Sequence, residues 1–353
     1  MRTPDALVDA IDRRFGEGRE ALRGARLFIT GATGFLGRWL LDYLAYAHER
    51  YALDLSATVL TRNRAAFARA HHAVEQLLDH PAISFVAGDV RSFDFPDGHF
   101  SHVIHGAHTT ARATFNREDP LIQFDTACAG ARRVLDFAVQ SDTKRFLMLS
   151  SGSIYGPVPA GMVRIREDFA SAPLPEDVGA ALNHGKRAAE FLCAYYRQRH
   201  GLETVTARCF SFIGPGLPLD IHYAVGNFMR DALWGDAVVI NGDGSPLRSY
   251  LDVGDLLVWL LTILTRAPSG AVYNVGSDAP ITILDLATRV RDLLAPDKPL
   301  RVLGRDGIGA GRNIYVPDIN RARDELGLEM WTSLDDSIRD TARHAQNHRE
   351  DQT

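Results

Sequence analysis

The chain has 353 residues, 46% of them hydrophobic, and 39 Lys and Arg against 44 Asp and Glu give a formal charge of −5. This is the composition of an ordinary globular protein of one or two domains, and its mild acidity argues against nonspecific nucleic-acid binding. The three cysteines, Cys128, Cys193 and Cys209, have no CxxC spacing, so they read as reduced thiols and neither a disulfide framework nor a metal site is expected.

Residues 1–24 place Leu7, Ile11 and Phe15 four apart, which predicts an amphipathic helical extension packed on the domain behind it. Charges of both signs run through this stretch, and the longest apolar run, Leu256 to Leu264, is too short to cross a bilayer. A cytoplasmic protein without membrane contact is therefore expected. From Ala25 the pattern becomes short apolar runs separated by helical stretches: ARLFIT, LSATVLT, ISFVAGD, HVIHGA, RFLMLSS and TVTARCF. Such alternation predicts an α/β fold, a parallel sheet with helices on both faces.

Directly after the first of these runs comes Gly31-Ala-Thr-Gly34-Phe35-Leu36-Gly37, leading into RWLLDYLAYAHE, whose apolar spacing is helical. Glycines there permit a tight turn and close approach of backbone to a pyrophosphate, and the helix N-terminus offers free N–H groups to the anion. The arrangement predicts dinucleotide binding. At the end of the second run, where an acidic residue would hold an adenosine ribose, the chain reads Thr61-Arg62-Asn63-Arg64. Arg62 can pair with a 2′-phosphate, stack on adenine or face water, which favours NADP slightly over NAD. Asp89-Val90 closes the third run, either at the adenine edge or as a solvated turn. After about Gly214 the alternation gives way to Pro- and Gly-rich segments such as GPGLPLD and NGDGSPLRS, which predicts a smaller lobe over the sheet edge. The tail, residues 341–353, offers little to bury and is expected to fray.

Several separated motifs agree on one pattern: TGATGFLG, GDV at 88–90, VIHGA at 103–107, SSGSIYG at 150–156, GKRAAE at 185–190, RCFSFIGPG at 208–216 and RSYLDVGDL at 248–256. Over roughly residues 25–340 the sequence resembles an extended short-chain dehydrogenase/reductase of the NAD-dependent epimerase/dehydratase family. The resemblance implies a Rossmann-type doubly wound sheet, mainly within 25–213, and a smaller substrate-binding lobe, mainly 214–340 and interleaved with it. It also implies a nucleotide-diphosphate sugar as substrate and a homodimer built on helices near 120–140 and 179–200. The cofactor residues would be Gly31, Gly34, Phe35, Leu36, Gly37, Arg62, Asp89, Val90, Ala107 and Lys186. Ser211, Asn227, Arg248 and Arg312 would meet the substrate, the arginine forks suiting phosphate oxygens.

In such enzymes a tyrosine four residues before a lysine exchanges the alcohol proton while hydride moves to or from nicotinamide. The lysine holds the nicotinamide ribose and lowers the phenol pKa from about 10. A Ser or Thr at the preceding strand end orients the substrate oxygen. By motif position these are Lys186 and Ser151, but the tyrosine position holds Leu182. His184 lies about 200° round the helix from Lys186 and Asn183 within about 60°, which ranks Asn183 as the nearer substitute. Tyr155 and His222 are further candidates. The alternatives are chemistry that needs less from a phenol, or a weakened or non-catalytic binder of dinucleotide or sugar nucleotide. Where the family's dehydratases carry an Asp-Glu pair and its decarboxylases a Glu, this chain has Gly152 and Ser153. Epimerisation or ketoreduction therefore fits better than 4,6-dehydration, unless a dehydratase here draws on a different acid or base.

Overall fold

In the computed structural model, which describes residues 4–70, 75–108, 112–113, 116–159, 161–221, 223–304 and 313–350, every apolar run noted between 25 and 210 contains a strand. β1 (Arg26–Thr30), β2 (Ser56–Thr61), β3 (Ile83–Ala87), β4 (His102–His105), β5 (Arg145–Ser151) and β6 (Glu203–Cys209) join a strand at Val272–Val275 in one seven-stranded parallel sheet. The strand order is Val272–Val275, β6, β5, β4, β1, β2, β3. Successive strands leave β1 in opposite directions across the sheet, so the order reverses between β1 and β4. That is where a doubly wound Rossmann-type sheet opens a crevice at its carboxyl edge.

Continuous apolar strands require cover on both faces. On one face lie the helices α1 (Pro4–Phe15) and α2 (Phe35–Tyr51) and the Val253–Arg266 helix. The apolar run at Leu256–Leu264 belongs to this last helix and is buried throughout. Leu7, Ile11 and Phe15 are buried as their spacing implies. α1 is also clamped by polar contacts: Arg14 pairs with buried Asp255 at 2.5 Å, and Tyr51 donates to Asp12 at 2.6 Å. On the other face, the Pro120–Gln140 and Ala181–His200 helices cover a cluster containing Phe28, Phe93, Phe100 and Phe137.

The C-terminal segment forms a smaller cluster of its own from the Ala224–Trp234 and Ile283–Leu294 helices, with Ile338 of the Leu334–Glu350 helix. It is interleaved with the first part, because the Val253–Arg266 helix and Val272–Val275 strand return to the main sheet. The lobe is tied to the start of α2 by Trp39, whose Nε1 donates to Pro215 O at 2.9 Å, and by Phe35 stacked on Phe212. The tail differs from expectation. Helix continues to residue 350, with Thr341 and Ala342 buried, because Ile338, Ala342 and Ala345 extend an apolar stripe that begins before residue 341. The cysteines are free, and among the described residues no cluster suited to a metal ion occurs. No described helix is long and apolar enough to cross a membrane.

Candidate functional site

The crevice is built first from glycines. Gly31 follows β1 with φ +81°, and a Cβ there would lie 2.6 Å from the Gly106 carbonyl carbon. A Cβ on Gly37 would lie 2.2 Å from Ala32 Cα. These two are required by the chain's own packing. Gly34 is different: its φ of −87° suits any residue, and the nearest obstacle to a Cβ is Gly31 O at an ordinary 3.5 Å. It caps α2 with no side-chain hydrogen bond, and the first turn carries no acidic residue. Phe35 and Leu36 open that turn. A helix N-terminus with unclaimed N–H groups and a bare glycine at its mouth is a cradle that suits a diphosphate.

The remaining cofactor candidates are arranged less uniformly. Arg62 is exposed after β2, and its charge helps to hold the Asp89 carboxyl below its usual range, although Arg91 is the main cause. Arg91 grips Asp89 by two side-chain bonds, Nε to Oδ1 at 2.8 Å and a terminal nitrogen to Oδ2 at 3.0 Å. The expected adenine-edge carboxylate is thus already paired. Val90 turns its side chain into the core against Gly130, where a Cβ would come within 2.9 Å of it. The Ala107 N–H is likewise engaged, donating to Thr30 Oγ1 at 3.1 Å.

The Ser151 side chain and the Lys186 ammonium both lie at the carboxyl-terminal part of β5. Lys186 is buried, and its Nζ donates to Leu149 O at 2.8 Å. Burial lowers its pKa to about 8, opposed by the nearby Cys209 and Glu190. Ser151 Oγ accepts from Ser153 N at 3.1 Å and shares a proton with Ser153 Oγ at 2.9 Å. Ser153 in turn donates to Asn183 Oδ1 at 2.6 Å. Of the candidates near Leu182, Asn183 therefore reaches the serine cluster. His184 Nε2 sits 3.1 Å from Leu174 O instead. Tyr155 is buried, donating to Asn274 Oδ1 at 2.7 Å and accepting from Arg208 at 2.8 Å, and burial pushes its pKa up to about 12. These bonds tie it to Arg208 of β6 and to Asn274 of the Val272–Val275 strand. His222 and Arg312 lie outside the described residues.

In the lobe, Asn227 of the Ala224–Trp234 helix accepts from Arg230 at 3.2 Å, and half-buried Ser211 follows β6. Arg248 bonds only carbonyls, Leu247 O at 2.8 Å and Asn313 O at 3.2 Å among the described residues. Burial lowers its pKa, and no described carboxylate pairs with it. A half-buried guanidinium without a counter-charge is a place for an anion.

The family profile described as "NAD dependent epimerase/dehydratase family" matches residues 27–276. The chain belongs to this family. Among relatives, UDP-glucuronic acid decarboxylase 6 of Arabidopsis thaliana is 26% identical over 314 residues, 89% of this chain and 86% of that protein. An epimerase from Methanothermobacter thermautotrophicus superposes with a TM-score of 0.79 at 22% identity, covering 95% of this chain and 96% of that one. UDP-glucuronic acid 4-epimerase from Bacillus cereus, solved with UDP-glucuronic acid and NAD, gives 0.76 at 19% identity, covering 92% and 99%.

Three residues of this family member escaped the sequence reading. Glu190, one helical turn beyond Lys186, accepts from Ser150 at 2.5 Å and pairs with Arg208 at 2.7 Å, locking the Lys186 helix to β5 and β6. Both lie inside quoted motifs, GKRAAE and RCFSF, so their opposite charges were available as a signal. The third is Tyr315, whose hydroxyl lies 3.3 Å from Ser151 Oγ. Its neighbour in space, Phe210, also explains Gly152: a Cβ there would come within 2.5 Å of the Phe210 ring. A side chain after Ser151 would have to displace the buried Phe210 ring.

Proposed function

We propose that the chain is a nicotinamide-dinucleotide enzyme that epimerises or reduces a sugar carbon of a nucleotide-diphosphate sugar. The observation that carries this reading is the placement of Ser151 and buried Lys186 at the carboxyl end of β5, on the same edge of the sheet as the Gly34 cradle that follows β1 at the strand-order reversal. Two of the relatives named above, the Arabidopsis decarboxylase and the Bacillus cereus epimerase, act by their names on UDP-glucuronic acid, which supports the substrate class. The dinucleotide, when bound, supplies hydride exchange.

The residues divide the remaining work. The first turn of α2 receives the pyrophosphate, with Gly34 leaving room for it. Lys186, held by Leu149 O, would hold the nicotinamide ribose. Ser151 orients the reacting sugar oxygen. Arg248, with Arg312 and Asn227, takes the substrate diphosphate, and Ser211 lines the sugar. Arg62 favours NADP over NAD by offering a guanidinium at the end of β2. With Gly152 packed under Phe210, the position after Ser151 offers no carboxylate to eliminate water or assist decarboxylation in the usual way. Exposed apolar residues on the Pro120–Gln140 and Ala181–His200 helices, Leu121 at 71% and Phe191 at 67%, support a homodimer through these helices.

The second reading, a non-catalytic binder of dinucleotide or sugar nucleotide, is favoured by one observation, Leu182 at the tyrosine position. Turnover separates the two. The purified chain is incubated with NAD(H) or NADP(H) and a panel of nucleotide-diphosphate sugars and their keto forms, and products are read by chromatography and mass. An epimer or reduced sugar is expected, whereas saturable binding of both ligands without product would establish the binder.

A further inference from the structure

Tyr315 lies in the C-terminal lobe, 164 residues from Ser151 along the chain, yet its hydroxyl touches that serine. Its position is over-determined. The Ile314–Tyr315 strand pairs in parallel with Leu247–Arg248, so Tyr315 and Arg248 are register partners. Its ring packs on Phe210 with centroids 4.6 Å apart. The hydroxyl thus stands over the ends of β5 and β6, where Ser151 and Cys209 are themselves register partners. Lys186, on the Ala181–His200 helix, reaches this strand two residues before Ser151, at Leu149 O, and its charge acts on Cys209.

The hydrogen bonds around this hydroxyl have a direction. Each hydroxyl has one proton to donate. Ser153 gives its proton to Asn183 Oδ1, so Ser151 gives its own to Ser153, and Ser151 Oγ is left to accept from Tyr315. The Tyr315 proton is therefore held by two long contacts, 3.3 Å to Ser151 Oγ and 3.4 Å to Cys209 O. Both are near the weak end of hydrogen bonding, so a substrate oxygen seated beside Ser151 competes for that proton readily. When the proton leaves, rotation of the Ser151 hydroxyl turns it from acceptor to donor, and Arg248 across the strand pair adds favourable charge.

We propose that Tyr315 is the hydroxyl that exchanges a proton with the reacting sugar oxygen, taking the place of a tyrosine at position 182. This rests on the reading of the chain as a sugar-nucleotide enzyme. In the reductive direction the Tyr315 O–H bond breaks, its electron pair stays on the phenolic oxygen, and a new O–H bond forms on the sugar oxygen. That oxygen passes from carbonyl to hydroxyl as its carbon accepts hydride from a reduced nicotinamide dinucleotide. The oxidative direction returns the proton to the phenolate. Burial holds the free phenol protonated, with a pKa pushed up to about 12, which suits the acid role.

Tyr315→Phe removes the hydroxyl while keeping the ring on Phe210. With the nucleotide sugar found active for the wild type, kcat is expected to fall by about 10² to 10⁴. Calorimetric Kd values for dinucleotide and nucleotide sugar are expected to stay unchanged. Leu182→Tyr added to Tyr315→Phe is expected to restore much of the lost kcat, because it returns a phenol one helical turn before Lys186. An undiminished kcat in Tyr315→Phe overturns the proposal, as does a loss confined to sugar-nucleotide affinity, which would make Tyr315 only a wall of the pocket. A kcat loss accompanied by a lowered melting temperature, and not recovered by Leu182→Tyr, also overturns it by making the role structural. If the wild type binds both ligands and makes no product, the enzyme reading fails and takes this proposal with it. Wild-type turnover with an unaffected Tyr315→Phe defeats the proposal alone.

Discussion

Burial of Lys186 leaves a signature in stability as a function of pH that is independent of any substrate. In an open chain this lysine has a pKa of 10.5, and in the fold desolvation lowers it to about 8. Between those values the unfolded chain binds the proton and the folded chain does not, so stability rises with pH through the window. Below about pH 8 the lysine is charged in both states and the penalty is constant; above 10.5 it is neutral in both. At about 1.4 kcal/mol for each decade, the change across the window is about 3 kcal/mol. Lys186→Met removes this linkage and little else that titrates. Urea unfolding of ligand-free wild type and Lys186→Met at intervals from pH 7 to about 10.5 is expected to show the wild type gaining on the variant by that amount, with most of the gain above pH 8. The constant offset between the proteins, which includes the lost bond to Leu149 O, does not affect the slope. A difference that stays flat through the window would refute the claim that the folded environment disfavours the charged lysine.

Three further outcomes follow from the same geometry. Gly34→Ala should fold with unchanged stability and lose dinucleotide affinity, whereas Gly37→Ala should lose about 1–3 kcal/mol because its Cβ meets Ala32; equal melting temperatures for the two would contradict the division. Arg248→Met should weaken nucleotide-diphosphate binding by about 2 kcal/mol, roughly thirtyfold, without affecting dinucleotide affinity, and calorimetry reporting an unchanged Kd would remove Arg248 from the substrate site. Sedimentation at micromolar concentration should show a dimer that Phe191→Glu dissociates, and a monomeric wild type would count against the helix-face interface.

Six of the seven strands of the sheet were legible because they are short apolar runs bounded by amphipathic helices, and periods of 2 and 3.6 are local properties of sequence; the Val272–Val275 strand was not among them. The phosphate loop was legible for a related reason: Gly31 and Gly37 answer to backbone contacts a few residues away or on the next strand. Ser151 and Lys186 were singled out through motif spacing, and both sit on long regular elements that fix their direction. Tyr315 was not, although it stands three residues after the singled-out Arg312. Its meeting with Ser151 depends on the register of Ile314–Tyr315 against Leu247–Arg248, two-residue strands that carry no periodicity. At Asp89 the motif suggests an adenine contact, and the structure adds a pairing with the neighbour Arg91 that the sequence reading did not weigh. The C-terminal helix was hidden because its apolar stripe starts at Leu334, before the segment judged on its own.

The central claim is a nicotinamide dinucleotide lying in the β1–β4 crevice, and the most direct measurement is to denature freshly purified protein and identify by mass spectrometry what it releases. The account predicts NAD or NADP in the released fraction, or saturable calorimetric binding of one of them when the purified chain carries none. Absence of any released dinucleotide together with no heat of binding for NAD, NADP or their reduced forms would contradict it.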